Sequence, residues 1–162
     1  MDATFGQWPS DGQLTHQNPW ARATLPADAR NYPLANSLVK TLPTLVAQGR
    51  LMVDVAQKPD MLSDPSRFLP ANEAISDAVG LGLRRLARQD PDKAMALLDG
   101  YASSMHFSRD EKVSTAREIG LTLARRYDPR ALDVMTKYDP ELRDNTGSEW
   151  RLRLLLRLAR WE

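Results

Sequence analysis

Asparagine or aspartate followed directly by proline stands ahead of apolar, helix-spaced residues at four places: Asn18-Pro19, Asp90-Pro91, Asp128-Pro129 and Asp139-Pro140. Each pair reads as a helix start. The polar side chain accepts a first-turn N–H, and proline at the first helical position gives up an N–H that had no partner. Starts repeated after short gaps mean short antiparallel helices in series. The interval from Asp90 to Asp128 is 38 residues, about one helix pair of the helical repeat families, which run at roughly 34 to 47. The expected fold class is therefore all-α, an α-solenoid or superhelix of short antiparallel helix pairs.

With 162 residues the chain falls within the usual size of one domain, roughly 100 to 200 residues. A single superhelical domain over 1–162 is expected, in three stretches: N-terminal helices over 1–57, a proline-rich connector over 58–70 and helical repeats over 71–162. Lys and Arg total 22 against 21 Asp and Glu, so no whole-chain field attracts nucleic acid or an anionic membrane, and neither is expected as a partner. The absence of cysteine excludes disulfides and thiolate chemistry without assigning a compartment. The first residues, Met-Asp-Ala-Thr-Phe-Gly, have neither a basic head nor an apolar stretch. No export signal is read there, and the chain as written is expected to be cytoplasmic.

Along the chain, Pro26 is expected to break or kink the helix entered at Pro19. Pro33 and the Pro43-Thr44 pair open two more short helices, and Pro59 ends the second of these. Ala74 to Arg88 places Ile75, Ala78, Val79, Leu83 and Leu86 on one apolar stripe, with Arg84, Arg85 and Arg88 elsewhere. Ser108 with Glu111, and Thr146 with Glu149, fit capping boxes. No segment alternates at the period of a strand.

Candidate chemistry is sparse. His106 and Asp110 have ligand-like spacing, but two groups do not make a metal site of three or four ligands, and none is assigned. Gly80-Leu81-Gly82 lies inside an amphipathic helix and reads as close packing, not as a phosphate loop. Acid–base chemistry requires carboxylates in contrasting environments; Glu118, Asp133, Glu141 and Glu149 all have neighbours typical of solvated faces. The arginines at 151, 153, 157 and 160 read as an outer face. No catalytic residue, cofactor or metal is expected. The last helix, Trp150 to Trp161, carries apolar residues on more than one face. Leu154, Leu158 and Trp161 share a stripe expected to stay uncovered, and so to serve as an interaction face for a protein partner or for self-association.

The segments "DAVGLGLRRLARQDPDKAMALLDGY", "KVSTAREIGLTLARRYDPRALDVM" and "SEWRLRLLLRLARW", with "DARNYPLANSLVKTLPTLVAQGRLMVDVAQKPDML" upstream, resemble the non-catalytic superhelical region of soluble lytic murein transglycosylases, most closely the pseudomonad type. The resemblance implies an α-superhelix beside a separate lysozyme-like domain that cleaves peptidoglycan with one glutamic acid in a Glu-Ser pair. It also implies a periplasmic setting for the parent protein, with peptidoglycan as partner only in that context. This chain contains no Glu-Ser pair, so no catalytic residue carries over and the chain is expected not to be an enzyme. Thr4, Gln7, Pro9, Pro19, Pro26 and Gly147 are poor choices for a helix of that family. They suggest an excised and altered segment, and a second expectation follows: an engineered protein-binding module built on the same helical scaffold.

Overall fold

The structure, a computed structural model, describes residues 18–42 and 44–158. These form eight α-helices and two short 3₁₀ helices, with no strand among the described residues. The helices are α1 (Pro19–Asp28), α2 (Tyr32–Val39), α3 (Val46–Gln57), α4 (Glu73–Gln89), α5 (Pro91–Ser104), α6 (Arg109–Arg125), α7 (Arg130–Tyr138) and α8 (Asn145–Arg157); the 3₁₀ turns Pro59–Ser63 and Pro65–Phe68 fill the link between α3 and α4. Consecutive helices pack pairwise, and α4 also meets α6 across α5, which stacks one pair on the next. This is the expected all-α array.

Side-chain caps begin most of the helices. Asn18 accepts the N–H groups of Trp20 and Ala21, Asn31 that of Leu34, Asn72 that of Ile75, Asp90 that of Lys93 and Ser108 that of Glu111. Each satisfies at least one unpaired first-turn donor and contributes about 0.5 to 2 kcal/mol. Pro43, expected to help open the third helix, lies outside the described residues.

Three local expectations are corrected. Pro26 does not break α1: it sits near the C-terminal end, and the helix stops two residues later at Asp28. Arg30 then takes φ 63°, and Asn31 N–H reaches back to the Pro26 carbonyl at 2.7 Å, closing the end as a left-handed residue does. Asp139-Pro140 opens a turn instead of a helix. The Asp139 carboxylate accepts the N–H groups of Arg143 and Asp144 at 3.1 and 2.9 Å, and Leu142 takes φ 55°. Those bonds curl the backbone back before a helix can propagate. Nor does Thr146 cap α8: Asp144 does, accepting the Gly147 N–H at 2.9 Å. A Cβ on Gly147 would lie 2.7 Å from that carboxylate, so the glycine leaves room for the capping oxygen.

Helix α4 is the centre of the array. Its apolar stripe widens to nearly the whole circumference, and Ser76, Arg85 and Ala87 are buried along with the leucines. Gly82 meets α3 and the first 3₁₀ turn so closely that a Cβ would fall 2.8 Å from Val55 and 3.1 Å from Leu62. On the other side Tyr101 of α5 donates to the Leu62 carbonyl at 2.8 Å, its ring edge-on to Phe68. The connector is thus tied down from both flanks.

Leu123 of α6 is 1 % exposed and belongs to the same core cluster. Leu123→Ala should cost about 2 to 5 kcal/mol through lost transfer energy and the cavity left behind. Urea unfolding with an unchanged slope would read this as a lower midpoint.

Candidate functional site

The predicted interaction stripe divides in the structure. Leu154 points into the core at 3 % exposure, Leu158 is half-buried against the same cluster, and Trp161 lies outside the described residues. The reason is packing: α8 lies on both α6 and α7, and that contact takes up the face carrying Leu154. The large apolar side chains left exposed there are Leu152 and Leu156, one helical turn apart, at 58 % and 48 %. Leu142, in the turn before α8, shares a shallow groove with Leu152.

The polar candidates are scattered or already engaged. His106 and Asp110 are both exposed, and the His106 backbone N–H serves to bond Ser76 Oγ at 2.9 Å. No group of three or more His, Asp or Glu side chains among the described residues is placed to hold a metal ion. Arg151 donates to the Asp139 carbonyl and to Thr136 Oγ1. Arg153 lies over the Trp150 ring and Arg157 over that of Tyr127. Glu118 pairs with Arg88, and Glu141 with Arg109 and Arg143. These partly exposed pairs contribute little each, about 0 to 1 kcal/mol.

One polar cluster was not foreseen. Asp77, Gly80 and Arg84 stand at i, i+3 and i+7, one face of α4. Glu111, at the start of α6, lays its carboxylate across that face. The Arg84 guanidinium donates to Glu111 Oε1 at 3.0 Å, and the two side chains are only 22 % and 15 % exposed. A Cβ on Gly80 would lie within van der Waals overlap of the Glu111 carboxylate, so Gly80 is the seat of that group. From α1, the Trp20 indole N–H donates to Asp77 Oδ2 at 2.8 Å. Asn18, Trp20, Thr24, Asp77, Arg84 and Glu111 thus line one open cleft between α1, α4 and α6.

Burial is the largest influence on Glu111 and pushes its carboxyl above the ordinary 4.5; the hydrogen bond and charge of Arg84 oppose this, while the charge of Asp77 and a hydrogen bond with it reinforce it. The sequence signal for Glu111 was its place three residues after Ser108, read as a reciprocal capping box. Half of that box forms: Ser108 accepts the Glu111 N–H at 3.1 Å, while the glutamate side chain is drawn to Arg84. Arg85, expected off the apolar stripe, is also buried, and donates to the carbonyls of Ala27 and Asp28 at the end of α1. A cation there satisfies unpaired carbonyls and complements the negative end of the helix dipole. Burial lowers the pKa of its guanidinium.

The cluster therefore holds helices together: every charged group in it has a partner on another helix, and a serial helical array is the class of protein these features define. Among solved structures the chain is similar to lytic transglycosylase Slt from Pseudomonas aeruginosa, seen in the X-ray structure of an inactive mutant. It is 62 % identical to that protein at a TM-score of 0.84, over 97 % of this chain and 26 % of the other. The chain thus spans about a quarter of that protein's length. No protein-family model and no curated relative matches.

Gly80→Ala should displace the Glu111 carboxylate and break its bond to Arg84. In a Glu111→Ala background the same change should instead be neutral or stabilising by up to about 1 kcal/mol, the helix propensity of alanine over glycine. A double-mutant cycle by chemical denaturation should return a coupling of about 0.5 to 3 kcal/mol between positions 80 and 111.

Proposed function

We propose that this chain is a non-catalytic helical scaffold segment of a lytic-transglycosylase-like protein, one that frames a peptidoglycan-cleaving domain and offers the glycan strand a curved surface. The similarity to lytic transglycosylase Slt over nearly the whole of this chain carries the reading. Its physical support is that Glu111, the carboxylate of the cluster nearest Gly80, is already ion-paired and hydrogen-bonded to Arg84 at 3.0 Å. General-acid cleavage of a glycosidic bond needs a positioned carboxyl group that is free to give up its proton to the leaving oxygen. The parent setting implied is the periplasm, with peptidoglycan as the material handled. No described helix is long and apolar enough to cross a membrane.

Purified chain incubated with murein should release no anhydro-muropeptides at any concentration. Turnover that disappears in Asp77→Asn or Glu111→Gln would show instead that the cluster is an active site.

Exposed Leu142, Leu152 and Leu156 favour a second reading, a protein-binding module in which the outer face of α8 meets another protein surface; as an engineered module it would keep the same rigid array. If that face self-associates, the light-scattering mass of the parent should rise with concentration. The Leu152→Glu, Leu156→Glu double variant should stay monomeric and equally stable, because neither side chain is part of the core.

A further inference from the structure

We propose that the two clefts meeting at Trp20 form a binding site for a neutral, N-acetylated glycan strand, an inference that rests on the scaffold role above and gives it a place on the molecule. One cleft, of about 350 Å³, lies between α1, α4 and α6. The other, of about 510 Å³, opens beside the start of α4. Asn18, Trp20 and Asp77 line both, so the clefts share a wall. Each falls within the roughly 300 to 1,000 Å³ of small-ligand sites.

Trp20 is the surface on which such a ligand rests. Its ring packs in part against the core and in part borders the clefts, and the bond from its indole N–H to Asp77 Oδ2 at 2.8 Å holds it there. A side chain fixed before binding loses little freedom on contact. The face of an aromatic ring is its negative part, which suits the weakly positive C–H face of a pyranose. Ala21 and Leu25 in one cleft, and Leu45 and Ala74 in the other, add apolar surface for acetamido methyl groups. Because Trp20 borders both clefts, consecutive sugars can lie on either side of it, which a strand achieves and a monosaccharide does not.

The polar groups around the ring match hydroxyl and amide partners. Asn18 and Asn72 give their Oδ1 atoms to the caps of α1 and α4, and neither amide nitrogen bonds another described residue. Each amide keeps two donors for a hydroxyl or an acetyl carbonyl. Carboxylates carry about four acceptor sites each, more than the bonds to Trp20 and Arg84 occupy at Asp77 and Glu111. Charge narrows the ligand further. Glu73, Asp77 and Glu111 line the clefts with one guanidinium, that of Arg84, so phosphates and other polyanions are repelled.

The test is NMR of the Trp20 indole N–H in the intact chain, titrated with tri-N-acetylchitotriose, and with maltotriose and lysinamide as controls. The chain has four tryptophans, and Trp20→Phe assigns the resonance. Chitotriose should move it saturably, and maltotriose, which lacks acetamido groups, should move it far less. Asn72→Asp keeps a capping oxygen at the start of α4 and removes the amide donors, so chitotriose should bind it about 2- to 10-fold more weakly, the effect of one hydrogen bond. An unmoved Trp20 resonance, equal responses to the two trisaccharides, a response to lysinamide alone, or unchanged affinity in Asn72→Asp would overturn the site. Should that variant fail to fold, the titrations of the unmodified chain decide alone. Sedimentation with murein tests the scaffold role separately. A chain that sediments with murein while Trp20 stays unmoved loses the glycan site and keeps the scaffold role; one whose Trp20 responds while murein is cleaved keeps the site and loses the non-catalytic role.

Discussion

Burial of α4 on almost every side is the constraint on which the remaining packing depends. A helix in that position must let its neighbours approach closely, and two glycines provide the space: Gly82 toward Val55 and Leu62, and Gly80 toward Glu111. It must also account for any polar group it carries inward. Ser76 accepts the His106 N–H, and Arg85 is spent on the last carbonyls of α1. A buried guanidinium is costly unless it is hydrogen-bonded, so the end of α1 and the middle of α4 are fixed relative to one another. The buried leucines of α4, each contributing about 1.5 to 3 kcal/mol, supply the driving force, while Arg85 specifies where α1 docks.

The same helix sets the electrostatics. Arg84 and Arg88 reach α6 through Glu111 and Glu118, Arg117 reaches from α6 to the cap of α8 at Asp144, and Lys137 reaches from α7 back to Asp99 of α5. Most are partly exposed and stabilise little. Arg84–Glu111 differs because burial magnifies both the attraction and the penalty of leaving either partner alone.

Much of the fold was legible before any coordinates. Three- and four-residue spacing predicted the helices, and short polar side chains ahead of proline predicted the starts at Asn18 and Asp90, because capping is a local interaction between residues two or three apart. Gly80 and Gly82 were legible as close packing for a similar reason: a helix tolerates them only where something else occupies the space. The failures came from competition among neighbouring polar groups in two cases and from a distant partner in the third. Asp139-Pro140 has the composition of a helix start, yet its carboxylate was claimed by Arg143 and Asp144. Thr146 lost the cap of α8 to Asp144, and half of the Ser108 box was forgone for an ion pair with Arg84, 27 residues earlier in the chain.

The sequence by itself determined that this chain is a series of short helices, since periodicity and caps depend on neighbours within a few residues, and its long stretches carried the resemblance to the superhelical region of lytic transglycosylases. Tertiary structure alone decided which faces those helices bury. It turned Leu154 inward and left Leu152 and Leu156 outside, although all lie on one leucine-rich helix. It also brought Trp20, Asp77, Arg84 and Glu111 together from three helices. An amphipathic stripe says that a face will be covered; which partner covers it depends on the angle at which distant helices meet, and no local spacing encodes that angle.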